Sequence, residues 1–314
     1  MRYTVPPING KDVVLYSANT KAARDVRMIM RKHSVPVVIR NFAPKQQGEQ
    51  LGLGTAIGTQ TIKGFIRHRK QLGHHAPSCQ IDNEDHHRDI DYLELESHFN
   101  EDANERKELI NILDLPITFY HDLKKAVKMP SFLGANLCGY FASPPRLEQS
   151  AKVVKDFFKV LCSFLWILIS SSGSLTGIHI DALGLQTWVC VSEGEKLWFW
   201  AQPCPENLQV RKKYGSFGGI KHYTKWHCVR LRAGDLMVMP SGTIHAVFTP
   251  RDSMVTGGHC LFPEALVAAM RNAWHFHSNP GLTNVPFSHS LVQDLFTNLI
   301  KVTPSIPVIQ RLKY

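Results

Sequence analysis

The sequence predicts a mainly β fold, a β-sandwich or jelly roll with helices before and after it. Short runs rich in Val, Ile, Trp and Phe recur through the second half of the 314-residue chain, and turn residues separate them. Short strands at regular spacing are typical of such folds. Helical patterns flank this region on both sides. The strand-like runs are LQTWVCV (185–191), KLWFWAQ (196–202), HCVRLRA (227–233), DLMVMP (235–240), IHAVFTP (244–250) and MVTGGHCLF (254–262).

The patterns divide the chain into three parts. Residues 1–150 are expected to form a mixed, partly helical segment on the core, residues 151–262 the β core, and residues 263–314 the C-terminal helices. Within the first part, Pro116 ends the apolar run Leu109–Leu115, and the polar stretch Asp82–Glu108 is expected to be irregular or partly helical at its end. The other predicted elements are a strand at Val35–Ile39 and helices at Lys21–His33, Phe119–Lys128, 264–276 and His289–Lys301.

The composition is that of an ordinary globular protein, with 44% hydrophobic and 20% charged residues. The N-terminus lacks the pattern of a secretory signal, and the longest apolar stretch, Val160–Ile169, is too short to span a bilayer. The seven cysteines are odd in number and include no C-x-x-C pair, which indicates reduced thiols. We therefore expect a soluble, intracellular protein.

The net charge of +10 is unevenly distributed. Asp82–Glu108 holds eleven acidic residues against three basic ones, so the remainder of the chain is strongly basic. A basic body can attract nucleic acid, and an acidic segment can attract a basic peptide. The alternative is that both are simply solvated faces.

Three residues form a candidate metal site. His179 and Asp181 are two apart, and residues i and i+2 of a strand point to the same face. His245 lies on another predicted strand of the same core. Two histidines and one carboxylate on one face leave three open positions on an octahedral metal, the arrangement of non-haem Fe(II) oxygenases. A second H-x-D match, His87–Asp89, lies in a polar stretch with no partner histidine, and we interpret it as non-metal.

Lys196 and Thr176 suggest an anion site beside the metal. Lys196 opens the strand that follows the H-x-D motif, and a lysine buried in a β core is costly unless an anion meets it. Thr176, three residues before His179, offers a hydroxyl to the same carboxylate. The alternative is an exposed lysine at the start of a strand, since lysine is seldom buried.

These segments resemble the Jumonji-C (JmjC) domain. The likeness rests on TGIHIDALG (176–184), WVCVSEGEKLWFW (188–200), AGDLMVMPSGTIHAVFTP (233–250) and GGHCLF (257–262), and it extends over residues 35–275. The branch it most resembles is that of histone lysine demethylases that carry plant-homeodomain fingers or F-box modules, which segment 109–133 also resembles. The resemblance implies a double-stranded β-helix core of the cupin-like, jelly-roll type.

The resemblance also implies ligands. Fe(II) would be held by His179, Asp181 and His245, and the co-substrate 2-oxoglutarate by Lys196, Thr176 and Asn111, with O2 as the oxidant. From the residues alone, Asn111 is only a polar residue at a strand end. The sequence departs from the family's pattern at three positions. Val189 replaces an aromatic residue, Leu183 interrupts a glycine pair, and His259 stands where asparagine is frequent.

The implied function is demethylation of methyl-lysine in a histone tail, in the nucleus. Two alternatives stay open: hydroxylation of a protein side chain or small molecule, and a non-catalytic JmjC-fold module that binds chromatin or nucleic acid. Formaldehyde release separates demethylation from hydroxylation, and a non-catalytic module would not depend on His179. The intact set of His179, Asp181, His245 and Lys196 favours catalysis.

Overall fold

A computed structural model of the chain describes residues 14–17, 35–42, 61–73, 77–84, 86–117, 137–138, 164–283, 292–293 and 295–297. The strands in these ranges are β1 (Val14–Ser17), β2 (Val37–Arg40), β3 (Ser78–Ile81), β4 (His87–Asp89), β5 (Ile110–Pro116), β6 (Trp166–Ser170), β7 (Leu175–Ile180), β8 (Gln186–Ala201), β9 (His227–Arg232), β10 (Leu236–Met239) and β11 (Ile244–Cys260). The α-helices are α1 (Ile62–Gln71), α2 (Tyr92–Asn100), α3 (Pro205–Tyr214) and α4 (Leu266–His277).

Two long strands, β8 and β11, pair with each other and pass through both layers of the core. The first half of β8 and the second half of β11 belong to a large layer with the order β1-β2-β10-β8-β11-β6-β5-β3-β4. The second half of β8 and the first half of β11 continue into a smaller layer, where β9 flanks β8 and β7 flanks β11. Among the described strands, β1 and β2 pair in parallel and all the other pairs are antiparallel. The predicted jelly roll is thereby confirmed.

The passage between layers occurs at one bend. Gly194 of β8 has φ +77°, and a Cβ there would lie 1.8 Å from the carbonyl oxygen of Asp252. Opposite it, β11 changes register between Phe248 and Val255. Such irregularities bend and twist paired strands and form the corners of β-sandwiches. Residues 185–191 and 196–202 were predicted as separate strands, but both lie in β8, apart from residues 185 and 202. Residues 244–250 and 254–262 were likewise separated, but they lie in β11, apart from the last two residues. These predictions are wrong because the chain bends between the runs without ending the strand.

Apolar clusters lie on both faces of the large layer. The inner cluster, between the layers, includes Val189, Trp198, Trp200 and Val247. The outer cluster packs α1 and α2 against strands of the large layer, through residues such as Phe65 and Leu95. Helices α1 and α2 therefore cover the outer face of the large layer, and its inner face carries both the inner apolar cluster and the polar groups described below.

Helix α2 lies within the acidic stretch, where the sequence analysis expected irregular chain or helix only at the end. The side chain of Asp91 accepts hydrogen bonds from the backbone N–H groups of Leu93 and Glu94, at 2.9 and 2.8 Å, and so caps the helix. Tyr92, Leu95 and Phe99 are buried on one side of it. The spacing of these three apolar residues was the signal that the high charge concealed.

Other predicted elements have mixed outcomes. The strand expected at Val35–Ile39 is β2, the apolar run Leu109–Leu115 is β5, and the helix expected at 264–276 is α4. Helix α3, which starts at Pro205, was not predicted. Lys21–His33 and Phe119–Lys128 lie outside the described residues, as does most of His289–Lys301. Among the described helices, none is long and apolar enough to cross a membrane.

Candidate metal and co-substrate site

Two neighbouring strand ends bring His179, Asp181 and His245 together. His179 is the fifth residue of β7, Asp181 directly follows that strand, and His245 is the second residue of β11. His179 and His245 are directly opposite each other in the β7–β11 ladder. Nε2 of His179 lies 3.7 Å from Oδ1 of Asp181, and Nε2 of His245 lies 3.8 Å from the same oxygen. Within the described ranges, this is the one group of three His, Cys, Asp or Glu residues that could share a metal ion.

Both imidazole rings are held by their other nitrogen. Nδ1 of His179 is 2.8 Å from the carbonyl oxygen of Gly177, and Nδ1 of His245 is 3.1 Å from that of Thr243. A carbonyl only accepts hydrogen bonds, so each Nδ1 carries a proton, and in the neutral ring Nε2 then has the lone pair that a metal requires. The ring of Trp198 also stacks on that of His245, with centroids 5.6 Å apart. These contacts fix the orientation of both rings, with the Nε2 atoms toward Asp181.

The donor set fits a divalent transition metal. The separations of 3.7 and 3.8 Å are shorter than twice a typical metal–ligand bond, roughly 4.2 Å, so one ion can bridge the atoms. Burial would raise the pKa of Asp181, but His245, His259, His179 and the Thr187 hydroxyl lower it to about 2. The carboxylate is therefore ionised at neutral pH. Two imidazoles and one carboxylate form the facial set used for Fe(II).

The second oxygen of Asp181 has a different partner. Thr187 of β8 donates its hydroxyl hydrogen bond to Oδ2 of Asp181. The same hydroxyl lies 3.0 Å from Nδ1 of His259, the residue directly opposite Thr187 on β11. Burial lowers the pKa of His259, and the Asp181 charge opposes this. Sequence analysis noted His259 as a departure from the family's pattern, but it missed Thr187, which no spacing signal connects to Asp181.

Lys196 is buried, with 1% of its surface exposed, so the alternative of an exposed lysine is wrong. Its ammonium group donates hydrogen bonds to the hydroxyls of Ser170, at 2.6 Å, and Thr249, at 2.8 Å. Burial lowers the pKa of Lys196 to about 7. In the described structure no carboxylate pairs with it. This is the environment expected of a cation that receives an anionic ligand.

Asn111 and Thr176 belong to the same hydrogen-bonded network as Lys196. Ser170 donates to Oδ1 of Asn111 at 2.7 Å, and Nδ2 of Asn111 donates to Thr176 at 3.2 Å and to Gln80 at 3.0 Å. The structure therefore joins the three residues expected at the co-substrate. It places Asn111 as the second residue of β5, at 1% exposure. Ser170, Thr249 and Gln80 were not predicted from the sequence.

A bulge brings Thr176 to the same face as the metal-site histidines. His179 pairs with His245 and Thr176 with Val247, so β7 has one more residue than β11 between the two pairs. The extra residue reverses the usual alternation, which would place positions three apart on opposite faces. Lys196 reaches this face through alternation along β8, since Trp198 pairs with Val247. The triad and the Lys196 network thus face the same interior.

The remaining sequence expectations concern non-ligands. His87 and Asp89 lie exposed on β4. Val189 lies in the inner apolar cluster at 0% exposure and offers no polar contact. Leu183, with φ +57°, is buried against helix α4, so an apolar contact replaces the glycine of the family's pattern.

Comparisons with known proteins agree with this geometry. A family model described as the JmjC domain matches residues 138–265. The chain is 29% identical over 145 residues to "JmjC domain-containing histone demethylation protein 1" of Caenorhabditis elegans, covering 43% of this chain and 13% of the relative. It is 29% identical over 180 residues to the protein of the same name in Debaryomyces hansenii, covering 52% and 33%. "Lysine-specific demethylase 2A" of Xenopus tropicalis is 32% identical over 102 residues, covering 31% and 9%.

The chain spans a third or less of the length of these relatives. The family match over residues 138–265 includes His179, Asp181, Lys196 and His245.

Proposed function

We propose that this chain, whose residues 138–265 belong to the JmjC domain family, is an Fe(II)- and 2-oxoglutarate-dependent oxygenase that demethylates N-methyl-lysine in histones. The observation that carries the proposal is the convergence of the His179–Asp181–His245 triad and the buried Lys196 network on one interior face. The printed names of the relatives, histone demethylation proteins and a lysine-specific demethylase, support the substrate class.

In this proposal His179, Asp181 and His245 hold Fe(II). The two Nε2 atoms and Oδ1 of Asp181 are the ligands, and the backbone carbonyls of Gly177 and Thr243 keep the rings in the required tautomer. Three protein ligands would leave coordination positions of the ion open for 2-oxoglutarate and O2. When bound, the iron supplies activation of O2 coupled to oxidative decarboxylation of 2-oxoglutarate.

Lys196 is proposed to bind the far carboxylate of 2-oxoglutarate, with Thr176 and Asn111 beside it. An arriving carboxylate supplies the counter-charge that the buried ammonium group lacks among its hydroxyl partners. The Nδ2 group of Asn111 already donates hydrogen bonds to Gln80 and Thr176, and its Oδ1 accepts one from Ser170. A hydrogen bond from Asn111 to the co-substrate would break one of these, so Asn111 instead positions Thr176 and Ser170. The inner cluster of Trp198, Trp200 and Val247 lines the same interior and limits access of water.

The overall reaction balances with one substrate methyl group. Methyl-lysine, 2-oxoglutarate and O2 give lysine, formaldehyde, succinate and carbon dioxide. One oxygen atom enters succinate, and the other enters the methyl group, whose hydroxymethyl product releases formaldehyde. The protein's contribution is to bind and orient the reactants and to exclude water.

A histone substrate implies a nuclear location, and the net charge of +10 is compatible with binding near nucleic acid. The acidic segment 82–108 is less available to a basic tail than its charge suggests. Arg88 pairs with Glu94 and Glu108, and Lys70 pairs with Glu96. We therefore propose that the substrate is recognised beside the His179–Asp181–His245 triad and not on this segment.

The test is turnover with a set of methylated histone peptides. Iron-loaded protein is incubated with 2-oxoglutarate and O2, and succinate and formaldehyde are measured together. The expected result is peptide-dependent formation of both products, lost in His179→Ala and kept in His275→Ala, a change at an exposed histidine on α4. Succinate that depends on peptide, without formaldehyde, would replace demethylation with hydroxylation. Absence of both, in protein that binds no iron, would favour a non-catalytic binding module.

A further inference from the structure

Thr187 and His259 form a hydrogen-bonded row that ends on the metal-site residue Asp181, and these two residues have no role in the function proposed above. Thr187 and His259 face each other across β8 and β11 and are buried, at 2% and 7% exposure. The ring of Trp166 contacts that of His259 edge-on, with centroids 6.2 Å apart, and fixes its plane. A buried row of polar groups is retained only if each member is satisfied, so the proton positions within it can be derived.

The direction of each hydrogen bond follows from counting protons. An ionised carboxylate only accepts, so the single hydroxyl proton of Thr187 goes to Oδ2 of Asp181. The Thr187 oxygen must then accept from Nδ1 of His259, 3.0 Å away, and this nitrogen carries a proton whether the ring is neutral or charged. The row therefore has one direction, from His259 through Thr187 to Asp181.

This direction has a consequence for how Asp181 binds a metal. Oδ2 accepts the hydrogen bond from Thr187, and Oδ1 lies 3.7 Å from Nε2 of His179 and 3.8 Å from Nε2 of His245. A carboxylate held in this way offers one oxygen to the ion. A carboxylate free to turn can offer two, and the second would occupy a position that the co-substrate requires.

We propose that Thr187 and His259 are positioning residues that hold Asp181 as a one-oxygen metal ligand, with His259 acting only through the Thr187 hydroxyl. The inference rests on the proposed metal site. It concerns residues that offer no ligand atom to the ion themselves. Partners that orient a ligand in this way typically change metal affinity by one to two orders of magnitude when removed.

The matched variants are Thr187→Val, which keeps the shape and removes the hydroxyl, and Thr187→Ser, which keeps the hydroxyl. For His259 they are His259→Leu, which removes the donor, and His259→Asn, whose amide can donate from a similar position. The first readout is the dissociation constant for Co(II), measured by competition with a chromogenic chelator. The second is the visible spectrum of the Co(II) protein, which reports coordination number. The third is the melting temperature of the metal-free protein.

Thr187→Val and His259→Leu are expected to weaken Co(II) binding roughly 10- to 100-fold and to alter the spectrum. Thr187→Ser and His259→Asn should stay near wild type. The double variant Thr187→Val/His259→Leu should bind no more weakly than Thr187→Val, because His259 acts through the missing hydroxyl. Additive losses in the double variant would overturn the relay, and an unchanged dissociation constant in Thr187→Val would overturn the positioning role.

Two controls separate the possible failures. If wild-type protein binds no Co(II), the metal site itself is wrong, whereas wild-type binding with an unaffected Thr187→Val variant contradicts this inference alone. If Thr187→Val does not fold, the comparison of His259→Leu with His259→Asn decides in its place. Loss of affinity in His259→Leu that is restored in His259→Asn supports the relay, and equal affinities contradict it.

Discussion

At the scale of single residues, the buried ammonium group of Lys196 lowers the stability of the fold and is proposed to bind 2-oxoglutarate. Its ammonium group is surrounded by the hydroxyls of Ser170 and Thr249 and by buried strands, and burial lowers its pKa to about 7. The unfolded chain would hold this proton up to about pH 10. Between these pH values the unfolded state binds more protons than the folded state, so this residue makes folding stability rise with pH.

We predict that Lys196→Met stabilises the ligand-free protein by about 1–3 kcal/mol at pH 7, since an apolar side chain of similar volume removes the buried charge. The difference from wild type should shrink as the pH is raised from about 7 toward 10. Urea unfolding at several pH values measures both effects. Lys63→Met, at an exposed position of α1, is the control for loss of a lysine. A destabilised Lys196→Met variant would show that the ammonium group supports the fold without any anion.

Asn111 gives a second prediction at this scale. Its Oδ1 accepts from Ser170, which in turn accepts from Lys196, so a carboxylate at position 111 would lie one hydroxyl away from the ammonium group. Asn111→Asp is therefore expected to neutralise Lys196 and to raise the Kd for 2-oxoglutarate at least about tenfold, the effect of roughly 1.4 kcal/mol. Calorimetry of the metal-loaded protein measures it, with the exposed Asn104→Asp as control. An unchanged Kd for 2-oxoglutarate in Asn111→Asp would show that Asn111 takes no part in binding the co-substrate.

At the scale of elements, the contact between the 182–184 turn and helix α4 is closely packed. Gly184 has φ +60°, and a Cβ there would lie 2.6 Å from Cβ of Asn272 and 2.9 Å from the backbone nitrogen of Ala273. Helix α4 thereby holds the turn that follows Asp181. The packing joins the C-terminal helix to the metal site without any polar contact to a ligand.

Gly184→Ala is predicted to destabilise the fold by about 3 kcal/mol or more, because backbone strain and overpacking add. Gly73→Ala is the matched control: it has nearly the same φ, +63°, but no atom lies within 4 Å of its added Cβ. That change should cost only the strain, about 1–2 kcal/mol. Thermal unfolding of the two variants compares them. Equal losses would mean that α4 does not press on the turn.

The elements also show what could be predicted from the sequence. Strand runs such as HCVRLRA and DLMVMP lie within two residues of β9 and β10, since alternation and turn residues mark them locally. The joining of two runs into β8 could not be predicted, because Gly194 marks a bend and a reversal equally well. The bulge that turns Thr176 inward is likewise a property of pairing with β11. The resemblance, and not periodicity, supplied Asn111.

At the scale of the whole molecule, an ion pair connects the acidic segment 82–108 to strand β11. Arg106, whose side chain is 4% exposed, donates two hydrogen bonds of 2.6 Å to the carboxylate of Asp252 at the bend of β11. Asp252 also accepts from the backbone N–H of Ser172. Burial would raise the pKa of Asp252, but the hydrogen bonds and charge of Arg106 and the Ser172 N–H lower it.

Asp252→Asn is predicted to destabilise the protein by about 2 kcal/mol at pH 7, the usual value of charged hydrogen bonds. The contribution of a carboxylate with a lowered pKa is present above its unfolded pKa, about 3.9, and is lost as the pH falls through the lower folded value. Urea unfolding from pH 7 downward should therefore show the two proteins converging below about pH 4. A difference that is independent of pH would assign the loss to packing instead of charge.

The central claim is that the triad and the Lys196 network together form one site for Fe(II) and 2-oxoglutarate. The most direct measurement is anaerobic calorimetric titration of 2-oxoglutarate into the protein with and without Fe(II), for wild type, His179→Ala and Lys196→Met. The account predicts tight binding only in iron-loaded wild type, with proton uptake above pH 7 as Lys196 regains its charge. Binding that is independent of iron, or that persists in Lys196→Met, would contradict it.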